Sequence, residues 1–250
     1  MSELDNALWC PNPLPDAAAR LVCFPHAGGG PTTFRAWPAE LAPTIEVATV
    51  TLPGRASRVA EPFATSLADA VGDIGERIER AGDDRPLALF GHSLGAILAY
   101  EVAHDLVRRG RSRPVHLFVA GSRAPDDRDG DRLEVTDDDA VLVEEVESRY
   151  GAIPAAVRSE PDLLAMFLPV LRSDLRLLTE YQWNPRPPLG IPITAFAGVA
   201  DRAGPPQSAP RWSAHTDAEF RDVRLPGDHF FVHSQLQQVS AIVRQALDVG

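Results

Sequence analysis

The residues with the clearest chemical potential are the five of Gly91-His92-Ser93-Leu94-Gly95. A short apolar run, Pro86–Phe90, precedes them, and Leu94, Ile97, Leu98, Val102 and Leu106 follow at helical spacing. G-x-S-x-G between a buried strand and a helix is the pattern of a nucleophile elbow, a turn so sharp that the serine hydroxyl is pushed outward. A hydroxyl attacks a carbonyl carbon only when a base takes its proton, and a neutral imidazole suits that task near pH 7. His229, in Gly227-Asp228-His229-Phe230-Phe231, is the candidate base, with His233 as its competitor. Asp201 is the candidate acid that would orient the imidazole; Asp126 and Asp127 are its rivals.

These side chains need a scaffold. Apolar segments at Arg20–Pro25, Ile45–Leu52, Pro86–Phe90, Pro114–Ala120, Pro192–Gly198 and Glu219–Leu225 read as strands. Helical patterns separate most of them. One, over Phe34, Trp37 and Leu41, has an uncertain start because of Pro38. Another is capped by Ser66, with Leu67, Val71, Ile74 and Ile78 as its buried stripe, and Leu236–Leu247 marks a closing helix. This rhythm predicts an α/β fold, a mostly parallel sheet covered on both faces. Ser93, Asp201 and His229 then each sit at the carboxyl end of a strand, in the chain order of α/β-hydrolases. The negative charge of a tetrahedral intermediate would be met by the backbone N–H of Leu94 and by that of Ala27, in His26-Ala27-Gly28-Gly29-Gly30 after the first strand. His26 and His92 flank the site and are expected to shape it.

Residues 125–188 break the rhythm. They contain no convincing strand. Leu142, Val143, Val146 and Tyr150 suggest one amphipathic helix, and Ser159-Glu160-Pro161-Asp162 opens another that Pro169 should kink or divide. The expected organisation is a core of residues 1–124 and 189–250 with residues 125–188 as a helical lid.

The composition excludes several alternatives. A net charge of −11 argues against nucleic acid. All the basic residues are arginine, so lysine chemistry is out. Cys10 and Cys23 have no metal-type spacing, the acidic stretch Asp126–Asp139 lacks the spacing of a calcium loop, and the glycines fit no phosphate-binding pattern. The run Arg108-Arg109-Gly110-Arg111-Ser112-Arg113 suits a helix carboxyl terminus. There is no basic leader and no apolar stretch of membrane-spanning length, so a soluble cytoplasmic protein is expected.

Phe24-Pro25-His26-Ala27-Gly28-Gly29, Leu52-Pro53-Gly54-Arg55, the elbow and Gly227-Asp228-His229-Phe230-Phe231 together resemble the type II thioesterases of polyketide and nonribosomal peptide pathways. The likeness spans nearly the whole chain. It implies an α/β-hydrolase fold and a discrete editing enzyme that removes acyl groups from the phosphopantetheine arm of acyl or peptidyl carrier proteins. A monomer with no cofactor is expected, and because a thiol departs readily no metal is required to polarise the carbonyl. Thioesterase domains fused to synthases often carry the acid after the preceding strand; here that place reads Ala120-Gly121-Ser122, which favours Asp201. Ala56-Ser57 departs from the acidic residues common after this motif. His26, Met166, Phe167 and Leu171 are candidates for an acyl chamber. A carboxylesterase or acyltransferase with the same three residues is the alternative reading, and a non-catalytic binding protein of the same fold is a third.

Overall fold

The computed structural model describes residues 6–248 except 83, 111–112, 128–132, 134 and 152. The strands are β1 (Leu8–Trp9), β2 (Ala19–Phe24), β3 (Ile45–Val50), β4 (Leu87–His92), β5 (His116–Ala120), β6 (Ile193–Gly198) and β7 (Phe220–Leu225). They form one sheet in the order β1-β3-β2-β4-β5-β6-β7, in which only β1 runs antiparallel. Every residue of β2, β3, β5 and β6 is buried, as a parallel sheet covered on both faces requires. The two-residue β1, too short for any periodicity, was not foreseen in the sequence.

Helices α1 (Trp37–Leu41), α2 (Leu67–Ala81), α3 (Leu94–Arg109), α7 (Phe231–Ser234) and α8 (Leu236–Ala246) cover the sheet. Pro38 falls in the first turn of α1, where its missing N–H has no intrahelical partner to lose. Ser66 caps α2 as expected, its side chain accepting the Asp69 N–H. The apolar side chains of α2 and α3 pack in one core on one face of the sheet, with Val22, Leu89 and Ile193. Trp37, Leu41, Val239 and Val243 pack in a second on the other, with Leu21, Phe90 and Phe118. Arg108 and Arg109 at the end of α3 both pair with Asp105, and Arg113 donates to the Gly190 carbonyl; Arg111 and Ser112 lie outside the described residues.

Between β5 and β6 stand α4 (Asp139–Tyr150), α5 (Ala155–Arg158) and α6 (Pro161–Glu180). Asp138 caps α4 through the Ala140 and Val141 N–H groups. Leu142 and Val146 of α4 join Leu168, Leu171 and Leu175 of α6 in a third, separate core. Pro169 neither divides α6 nor ends it: the helix continues through it. Pro169 is on the exposed face, so the Ala165 carbonyl it leaves without an intrahelical donor can be met by water. Among the described residues no helix is long and apolar enough to cross a membrane.

The strand order explains where a site must form. From β2 the chain passes outward to β3, then returns to the other side of β2 as β4. The carboxyl ends of β2 and β4 therefore adjoin at the point where the order reverses, the usual crevice of an open parallel sheet.

Candidate active site

Ser93 sits between β4 and α3 with φ 57° and ψ −118°, a conformation that costs on the order of 1–3 kcal/mol for a residue with a side chain. Its neighbours permit it. A Cβ on Gly91 would run into the Gly95 carbonyl, and one on Gly95 into the Phe24 carbonyl at the end of β2. The Ser93 N–H is held by the Ala120 carbonyl at 2.9 Å.

The base and acid come from the loops after β7 and β6. His229 Nδ1 lies 2.9 Å from Asp201 Oδ2, both residues buried. Asp201 Oδ1 accepts the N–H groups of Ala203 and Gly204 at 2.9 and 3.0 Å, so the carboxylate is fixed from both sides. The rivals are occupied elsewhere. Asp126 Oδ1 meets His215 Nε2 at 2.9 Å, and Asp127 lies beside Arg123 and Arg211. His233 is exposed, packs on His92 and Phe230, and makes no hydrogen bond with Asp201 among the described residues. Ser93 and His229 line the same cavity of about 290 Å³, and among the described residues no hydrogen bond joins them in this conformation. Such bonds often tighten only when substrate binds.

His92 is fully buried under the base, its Nε2–H donating to the His229 carbonyl at 2.8 Å. Burial holds this ring neutral, well below the ordinary histidine range, and the nearby His229 adds to the effect. It thus anchors the backbone of His229. His26, pushed down to about 3 by burial and then by His229 and His233, stands edge-on to His92 and Phe230. His26, His92 and His233 bring one ring nitrogen each within 4.8 Å of one another, the grouping among the described residues whose donors could hold a metal. The edge-on ring contacts account for the placement of His26 and His92 as packing.

The N–H groups of Ala27 and Leu94 are free of backbone partners among the described residues. The loop bearing Ala27 is held by a side chain that sequence reasoning missed. Asp174 of α6, 1% exposed, accepts the Gly28 N–H at 2.8 Å and pairs with both terminal nitrogens of Arg55 at 2.6 and 2.5 Å. Arg55 also donates to the Gly29 carbonyl at 2.9 Å. Arg55 and Asp174 stand 119 positions apart, with nothing in either neighbourhood to couple them.

Of the chamber candidates, His26 and Leu171 line a small apolar recess beside Ser93, with Val146, Tyr150, Leu175 and Leu178. Phe167 packs over Gly28. Met166, by contrast with that expectation, is 74% exposed on the outer face of α6: one step along the helix from Phe167 turns it about 100°, away from the recess.

Residues 19–247 match the thioesterase domain family. The thioesterase PikA5 of Streptomyces venezuelae is 35% identical over 95% of this chain and 84% of its own length. The RedJ thioesterase from the prodiginine pathway of Streptomyces coelicolor superposes with a TM-score of 0.85 at 40% identity, covering 92% of this chain and 91% of that one. The type II thioesterase BorB of the borrelidin biosynthetic cluster gives 0.89 at 32% identity, covering 99% and 100%.

Proposed function

The chain belongs to the thioesterase domain family, and from that premise we propose that it is a discrete type II thioesterase. Its substrates are acyl groups on the phosphopantetheine arm of acyl or peptidyl carrier proteins in cytoplasmic polyketide or nonribosomal peptide assembly. The relatives are named for such pathways. The observation that carries the catalytic assignment is the Asp201–His229 pair at 2.9 Å, beside a serine held at φ 57° in the same cavity.

In this mechanism His229 Nε2 takes the Ser93 proton as Oγ attacks the thioester carbonyl. Asp201 keeps the other ring proton on Nδ1 and stabilises the imidazolium. The Ala27 and Leu94 N–H groups meet the oxyanion. Collapse expels the arm's sulfur, which leaves readily because a thiol has a pKa near 8.5 and takes up the proton held on His229 Nε2, restoring the neutral imidazole. Water, deprotonated by His229, then hydrolyses the acyl-serine. No step calls on a cofactor; the arm belongs to the substrate.

Ser93→Ala tests the assignment. The variant should keep its thermal transition, lose labelling by a fluorophosphonate probe and lose roughly three to four orders of magnitude or more of turnover on an acyl-carrier thioester. Near-normal turnover would end the proposal.

A further inference from the structure

The protein carries a net charge of −11, yet among the described residues the charged side chains that line the cavity at Ser93 are all arginines, set among Leu133, Tyr150, Leu175 and Tyr181. Its wall holds Arg123, Arg149 and Arg202 and, among the described residues, no carboxylate. The three arginines come from separate places: the turn after β5, the last turn of α4, and the position after Asp201. Arg202 is exposed and has no ion pair or hydrogen bond among the described residues. Among the described residues the carboxylate paired with Arg123 is that of Asp127, at 3.8 Å, too far for a hydrogen bond. Arg149 is steadied by Glu145 through Nε at 2.7 Å. The hydroxyl-bearing residues Ser122, Ser148 and Thr179 line the same wall.

The other space at Ser93, a recess of about 20 Å³ among Ala27, Val146, Leu171, Leu175 and Leu178, is apolar, and side chains of α4 and α6 must give way for it to admit more than the first carbon of a chain. Two unlike spaces therefore meet at the nucleophile. A thioester has two unlike sides: an acyl chain, and an arm that carries a phosphodiester. We propose that the apolar recess takes the acyl chain and that Arg123 and Arg202, with Arg149 behind them, bind the phosphodiester of the incoming arm. Guanidinium forks match phosphate oxygens in geometry as well as charge. A local cationic mouth also gives an anionic substrate a favourable final approach to a protein whose overall charge opposes it. This inference rests on the thioesterase reading and adds the group by which the arm is recognised.

The test compares one butyryl group carried on phosphopantetheine and on pantetheine, which lacks the phosphate. The intact enzyme should favour the phosphorylated form about tenfold in kcat/KM at low salt, through KM with kcat unchanged, and the ratio should shrink in high salt. Arg202→Ala and Arg123→Ala should each reduce the ratio about threefold, the pair should bring it close to one, and Arg202→Lys should keep most of it. The ratio, taken on one variant at a time, is insensitive to partial unfolding. Equal kcat/KM for the two substrates in the intact enzyme overturns the inference while leaving the thioesterase reading intact. A ratio that survives both substitutions also overturns it. So does an arginine-dependent preference for succinyl-pantetheine over butyryl-pantetheine, which would move the anion to the acyl side. Absence of turnover on every thioester, with no fluorophosphonate labelling of Ser93, overturns the catalytic reading and this inference together.

Discussion

Replacing Asp201 with asparagine changes one atom, and the surrounding donors dictate how the new side chain must sit. Two backbone N–H groups, of Ala203 and Gly204, point at Oδ1, and His229 Nδ1 faces Oδ2. With its carbonyl toward the two N–H groups, asparagine keeps both bonds and presents its NH2 to the imidazole. The reverse orientation would set an NH2 against two buried donors, at about 1–3 kcal/mol for each group left unsatisfied. The first orientation wins by roughly 2–6 kcal/mol. The amide then donates to Nδ1, so the ring proton moves to Nε2, the nitrogen that must accept from Ser93. A base in the wrong tautomer, with no carboxylate to stabilise its cation, should lower kcat by about four orders of magnitude, or roughly 5 kcal/mol of barrier. Release of thiol from an acyl-carrier or acyl-pantetheine substrate measures the loss, and the nitrogen chemical shifts of His229 report the tautomer. A kcat within about tenfold of the parent would refute the reasoning. So would a comparable loss from Asp126→Asn, because Asp126 is spoken for by His215.

Two further predictions follow from buried charge. Asp174→Ala leaves Arg55 buried without its partner, at about 3–5 kcal/mol, which should lower the Tm on the order of 10 °C. Arg55→Met combined with Asp174→Leu should recover most of that stability yet still depress kcat, because the Gly28 N–H has lost its anchor; parental kcat in the double variant would show that the pair is structural only. Burial lowers His26 to about 3 and both His104 and His116 to about 4. These rings stay neutral in the folded protein, while the unfolded chain binds protons below about pH 6.5. Their contribution to stability is therefore full above that pH and falls as the solution is acidified toward 4, by up to about 2 kcal/mol per buried ring at pH 5. Urea midpoints should be lower at pH 5 than at pH 7, less so in His116→Gln; equal midpoints would contradict the assignment.

How much of this could be read in the sequence depended on whether the information was local. The elbow, the Ser66 cap and the strand ends bearing Asp201 and His229 rest on neighbours within a few positions, and the structure places them accordingly. Met166 shows the limit of a pattern read one residue too generously, since the inward face of α6 passes through Leu168, Leu171 and Leu175. Pro169 shows that a proline need not divide a helix when the carbonyl it strands lies on the exposed face. Arg55–Asp174 and the cationic wall of Arg123, Arg149 and Arg202 are assembled only by folding, from segments with no shared periodicity, and left no trace to read.

The bond from Asp174 to Gly28 has a bearing on how the enzyme opens. A lid is commonly pictured as a flap free of the machinery beneath it. Here α6 is tied through Asp174 to the Gly28 backbone, next to the proposed oxyanion donor Ala27, so a motion that lifted α6 would be expected to disturb that loop. If the site opens, α4 is the element expected to move, since its last residues Arg149 and Tyr150 line the cavity at Ser93 while α5 packs against α6. Amide hydrogens of α4 should exchange well before those of α6, so that entry leaves the catalytic frame assembled.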